Sequence, residues 1–231
     1  PGAVLADIAI VITGDHSQSA VVDDPDAAAI DLTQVLPDFP AAEVGKGFEA
    51  GTDVVLCPNG RVASIYLRDV KREKVNRIIQ RLIDDERVDQ VMCSEGYLNT
   101  AERGYHVFTS DRGELNFGLS AQDGDNTLQD RYGTRWYWRG DLGGFGEKEE
   151  RDGVTFFPIY PNPMERIAGL LDSPRSGHIW ATAKVGYDFV IPGIEAHAGG
   201  GSHGSLHVLD SSPPIIAAGL LAVNPMFLFI S

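Results

Sequence analysis

Two hydrophobic patterns alternate along this chain. Residues 8–13, Ile-Ala-Ile-Val-Ile-Thr, form an unbroken β-branched run of the kind a strand needs when both of its faces are covered, and such strands belong to parallel sheets. Residues 215–221 repeat that pattern near the other end. Between them the period changes: across residues 70–83, Val75, Ile78, Ile79 and Leu82 recur at helical spacing with Lys and Arg on the opposite side, which predicts an amphipathic helix. Residues 53–57 and 61–67 flank Pro58-Asn59-Gly60 and read as a hairpin, because Asn-Gly supplies the positive φ angles of a tight turn. A strand is expected at 88–93, a second hairpin around Ser110-Asp111-Arg112-Gly113, and further strands at 179–183 and 187–190. Asn162-Pro163 starts a helix that runs to about residue 171, with Asn as N-cap and Pro in the first turn.

Two long stretches lack such periodicity. Residues 23–51 are rich in Asp, Pro and Gly and read mainly as loop, with one or two helical turns within 27–36. Residues 121–153 are Gly-rich and charged around Trp136, Tyr137 and Trp138; such a cluster could stack on a nucleobase, but a core anchor beneath a loop is the expected role.

This order of elements predicts an α/β fold: a three-layer α/β/α core with a mostly parallel central sheet, formed by 1–50 and 154–231, carrying a small inserted α+β cap-like subdomain at 51–153. The start at Pro1 and the final apolar run without a closing helix predict that this core is partial. Residues 213–231 are apolar enough to raise the question of a membrane span. Pro213, Pro214, Asn224 and Pro225 interrupt them, so a buried strand is expected instead.

Composition narrows the partners. With 231 residues and 43% hydrophobic content the chain can bury a core, and 33 acidic against 19 basic residues give a net charge of −14, which argues against passive binding of duplex nucleic acid. A phosphate ester stays open as a ligand, since bound cations reverse the local field. Cys57 and Cys93 are too few for a disulfide framework or a thiolate zinc cluster, though one bridge is possible.

The candidate chemistry lies at the two ends. Gly14-Asp15-His16-Ser17 follows the first strand, where open α/β sheets place their ligand crevice. Three of the six histidines, His197, His203 and His207, fall within the Gly-rich stretch 195–207. Carboxylate and imidazole are the ligands that zinc or manganese accepts. His106 and His178 sit in strand contexts and read as structural, while Asn59 and Asp210 suit either groups that support a site or turn and cap residues.

These segments also carry a resemblance. Residues 8–17, IAIVITGDHS, resemble the strand and Asp-His metal motif of the alkaline phosphatase superfamily. Residues 201–219, GSHGSLHVLDSSPPIIAAG, resemble the late Gly-x-His-Gly motif of its type I phosphodiesterase/nucleotide pyrophosphatase branch. The resemblance implies a two-metal phosphohydrolase, with Asp15 and His16 on one ion and His203 on the other, zinc in both places or manganese as the alternative. Its substrate would be a phosphate-ester small molecule or nucleotide, and His197 and His207 would stand behind the ligands. Ser17 occupies a position that is usually Gly in that family. The family's Thr or Ser nucleophile and its remaining metal ligands precede the Asp-His motif, and no residue of 1–14 matches them, so this polypeptide alone is expected to be inactive without a complementing N-terminal segment. Two other readings stand beside this one: a non-catalytic binding domain that keeps the fold, and a mononuclear metal hydrolase that recruits His197 or His207.

Overall fold

A computed structural model describes residues 9–98, 104–119, 125–219 and 228–230. The expected hairpin forms, but its two turn residues are Gly60-Arg61, with Gly60 at φ 61° and Asn59 in the strand paired with Val62; it joins β1 (Val54–Asn59) to β2 (Val62–Leu67). Helix α1 (Arg72–Ile83) then leads to β3 (Val88–Ser94), which continues as a meander into β4 (Tyr105–Phe108) and β5 (Glu114–Gly118). The β4–β5 turn brings Gly113 to φ 83°, where a side chain would be strained. Strands β6 (Asn126–Gln129) and β7 (Arg135–Gly140) form the next hairpin, helix α2 (Pro163–Leu171) follows, and β8 (Ile179–Ala183) returns to the middle of the sheet. The spatial order is β1-β2-β8-β3-β4-β5-β7-β6, and each neighbouring pair is antiparallel.

Strand β3 shows why a helix sits on each face. Its side chains alternate: Val91 and Cys93 pack in the cluster that buries Val75, Ile78, Ile79 and Leu82 of α1, whereas Met92 joins Met164, Ile167, Ala168 and Leu171 of α2. Full burial of each such side chain contributes about 1.5–3 kcal/mol. Trp136 of β7 lies in the second cluster with its indole N–H donating to Asp130 Oδ2 at 2.9 Å, and Trp138 and Trp180 pack at the edge of the same cluster.

The expected three-layer α/β/α core with a mostly parallel sheet does not form. Among the described residues, parallel pairing is confined to Ala29–Asp31 with Asp188–Val190 and to two single bridges. The β-branched runs that suggested a parallel sheet instead pair antiparallel with each other, Ala9–Thr13 against Ile215–Gly219, with Leu228–Ile230 as a third strand. Adjacent residues Val11 and Ile12 point to opposite faces and are 65% and 60% exposed. A run of β-branched residues signals a strand, but direction depends on the partner that the chain supplies, and here hairpins supply it. The expected strand beyond 219 and the run before Ala9 lie outside the described residues. No helix among the described residues is long and apolar enough to cross a membrane.

The stretch 23–51 is more ordered than its composition predicts. Asp24 and Asp31 cap the short helices Pro25–Ala28 and Leu32–Val35, and Ile30, Leu32 and Leu36 reach the α1-side core.

Candidate functional site

The site forms where the two ends of the chain meet the β1–β2 turn. Ser19–Ala20 pairs antiparallel with Gly201–Ser202, which draws the Asp15-His16 segment against His203. The turn fits this segment closely: the Arg61 amide donates to His203 O at 2.9 Å, and a Cβ on Gly60 would lie 2.6 Å from Ser202 Oγ and 2.9 Å from His203 O. Gly204, at φ 112°, is held equally closely against Val62. At these two positions glycine is required by both space and backbone angle.

Beneath the turn lies a buried ion pair. Arg61 Nη1 donates to Asp210 Oδ1 at 2.5 Å and to Ser19 Oγ at 2.8 Å, and Nη2 donates to Ala183 O at 2.9 Å. Asp210 Oδ2 accepts from the Ser205 amide at 2.9 Å and from its hydroxyl at 2.8 Å, while Asp210 O accepts from the Ser17 amide at 2.9 Å. Asp210 therefore ties residues 61 and 205 through its carboxylate and residue 17 through its backbone carbonyl, next to both site histidines.

Above that pair, the rings of His16 and His203 stack with centroids 3.7 Å apart and planes inclined by 21°. His16 Nδ1 lies 3.0 Å from Ser17 O; because a carbonyl only accepts, Nδ1 carries a proton, and the neutral ring then has its lone pair on Nε2. That Nε2 is 3.5 Å from Asp15 Oδ2. Asp15 is exposed and His16 half-buried, and both open with His203 on a cleft of about 440 Å³ that is also lined by Arg131, Asn162 and Arg166.

The donor set suits divalent cations in a particular way. Two ligands of one small tetrahedral ion, each about 2.1 Å from it, stand about 3.4 Å apart, which matches the Asp15–His16 separation. Near-parallel imidazoles direct their lone pairs in near-parallel planes and do not converge on one ion; their 3.7 Å offset suits two neighbouring cations, which in two-metal sites lie about 3.5–4 Å apart. Among the described residues no group of three or more His, Cys, Asp or Glu side chains closes as a metal cage.

The other histidines sit elsewhere. His207 Nδ1 accepts from the Leu209 amide at 3.1 Å as the cap of the short helix Val208–Ser211, and its ring stands edge-on to Tyr160. Burial, followed by the charge of Arg61, holds its pKa below the ordinary value. His197 lines a separate cavity with Pro25 and Ile194, and its Nδ1 pairs with the buried Asp188 at 2.7 Å. His106 pairs with Glu95 at 2.9 Å and stacks on Phe108, and His178 Nδ1 accepts from the Leu67 amide at 3.0 Å.

Three cleft residues were not visible as such in the sequence. Arg61 is fully buried in the pair beneath the site, against the usual exposure of Arg. Arg166 donates to Leu206 O at 2.9 Å and to Ser211 Oγ at 2.8 Å, which ties α2 to the motif. Asn162 stands at the N-cap position as expected but at φ 50°, ψ 52°, and its side chain makes no capping bond. The Asn-Pro pair signalled the helix start but not the left-handed backbone. No family model matches this chain, and no curated protein or solved structure compared with it matches either.

Proposed function

We propose that Asp15, His16 and His203 are ligands of a two-cation phosphohydrolase centre, with Asp15 and His16 serving one divalent ion, zinc or manganese, and His203 the other. The observation that carries this reading is the stack of His16 on His203 with Asp15 3.5 Å from the free Nε2. When bound, the ions would supply charge stabilisation for a phosphate ester and activate the attacking oxygen. The protein's part is positional: Ser17 O fixes the tautomer of His16, the close packing of Gly60 on His203 O and of Gly204 on Val62 fixes His203, and the Arg61–Asp210 pair holds both segments. Three ligands for two ions predict loose binding, so further ligands and the nucleophile are assigned to groups other than the described side chains.

One observation favours a second reading, a binding domain without chemistry. The serine hydroxyls in the cleft are already engaged, Ser205 by Asp210 and Ser211 by the His207 carbonyl, and neither is poised as a nucleophile. Cobalt(II) absorption together with turnover of a chromogenic phosphodiester tests both readings. The proposal expects a ligand-field spectrum that is lost in His16→Ala and in His203→Ala; a spectrum unchanged in both variants contradicts it. Bound cobalt with no turnover in a preparation that contains every domain of the protein would favour the binding domain.

A further inference from the structure

The cleft beside the two histidines, which Asp15 and Asp210 also line, carries two guanidinium groups that form no ion pair among the described residues. Most of the described Arg and Lys side chains in this acidic chain have a carboxylate partner: Arg61 has Asp210, Arg77 and Arg81 share Asp38, Arg87 has Asp85, and Arg112 has Asp89. Among the described residues Arg131 and Arg166 have none within ion-pair distance, and both line the same cleft. Arg68, Lys71, Arg72, Arg135 and Arg175 also form no ion pair among the described residues, so what sets Arg131 and Arg166 apart is that both line this one cleft.

Each group is also held in place. Arg166, which lines the cleft, donates three of its five N–H groups, to Pro161 O, Leu206 O and Ser211 Oγ, and two have no acceptor among the described residues. Arg131 stands on the β6–β7 turn, which is closed by Asp130 Oδ1 accepting from the amides of Tyr132 and Thr134, both at 2.9 Å. The guanidinium lies 5.4 Å from the centroid of the Tyr132 ring, a contact that orients the group without neutralising it. Asn162 adds an amide that caps nothing, presented from a left-handed backbone that costs energy for a residue other than glycine.

We infer that Arg131, Asn162 and Arg166 form an anion subsite beside the Asp15–His16–His203 cluster, and that the cleft takes a phosphate ester bearing a second negatively charged group. The phosphate faces the histidines and the second group, a carboxylate or another phosphate, faces the arginines. This assignment of substrate class rests on the proposed phosphohydrolase reading, but the anion subsite itself does not need the metal. Charge-assisted hydrogen bonds to such a group contribute about 1.5–3 kcal/mol, which corresponds to about tenfold or more in affinity.

Calorimetric titration with ethyl phosphate and with 2-phosphoglycolate, which differ by one carboxylate, tests this with and without zinc. The expected result is a preference of about tenfold for phosphoglycolate, present without zinc, reduced to under about threefold in Arg131→Gln, partly restored in Arg131→Lys, and weakened by added salt. Arg131 is exposed on a turn that Asp130 closes, so the urea midpoint of Arg131→Gln should equal that of the parent chain. Equal binding of the two ligands, binding of neither, or a preference that survives Arg131→Gln overturns the subsite. The two proposals fail separately: the preference without any zinc binding removes only the metal reading, and zinc binding lost in His203→Ala without the preference removes only the subsite.

Discussion

The eight-stranded sheet and the cleft beside it use polar groups in opposite ways. Within and around the sheet, polar groups are consumed by folding: Trp136 donates to Asp130, Gln90 donates to Gly144 O, and Tyr160 donates to Asp89, which also holds Arg112. Each of these pairs offsets part of the cost of burying its members, and the atoms left over, Gln90 Oε1 and Arg112 Nε, are themselves buried. In the cleft the same economy stops short. Asp15 is exposed, His16 keeps a lone pair, Asn162 sits at a cap position without capping, and Arg131 has no counterion among the described residues. The difference teaches where to look for function: it lies in the groups that folding positions but does not use. The Arg61–Asp210 pair joins the two regions, since it is buried in the packed interior and yet holds both histidine segments in register.

That junction is where the comparison breaks most severely. Arg61→Met leaves the Asp210 carboxylate buried without its cation, and the expected cost is about 3–5 kcal/mol, read as a lower urea midpoint, with the His16–His203 geometry lost as well. A loss below about 1 kcal/mol would show that the pair is not what holds the site together.

Acid sharpens the comparison at a smaller scale, through groups that belong to the packed region. Burial holds the His178 imidazole below its ordinary pKa, and its Nδ1 accepts a backbone N–H, so the folded chain keeps it neutral. The unfolded chain takes up that proton near the ordinary imidazole value of about 6.5, whereas the folded chain does so only at lower pH. The stability from this group is therefore full above pH about 6.5 and falls as pH drops from there toward the folded pKa. The fall in urea midpoint between neutral and mildly acid pH should be smaller in His178→Gln than in the parent chain; an identical fall in both would remove His178 from the account.

Much of the sheet's local structure could be read from pattern. Val75, Ile78, Ile79 and Leu82 marked α1, Asn59-Gly60 marked the first hairpin, and Pro163 marked α2, because period and turn chemistry are local properties. Strand direction was not readable. Residues 9–13 have the composition of a strand covered on both faces, and composition cannot state which segment will pair with it. The order within 23–51 was hidden because Ile30, Leu32 and Leu36 are scattered among acidic residues, and only their contacts with the α1-side core show that they are buried. In the cleft, Asp15, His16 and His203 stood out by residue type and motif, and the structure brings them together. The groups around them did not stand out. Arg61 reads as a surface residue by charge, the capping role of His207 depends on a three-dimensional contact, and the unpaired state of Arg131 appears only once every nearby carboxylate has a place.

Zinc titration of this chain by calorimetry, beside His16→Ala and His203→Ala, tests the central claim most directly. Both positions line an open cleft, so each variant should keep its urea midpoint to within about 0.5 kcal/mol of stability. The account predicts loose zinc binding by the parent chain that weakens at least about tenfold in each variant, a loss of about 1.4 kcal/mol of binding free energy. Zinc binding of equal strength in all three chains would contradict it.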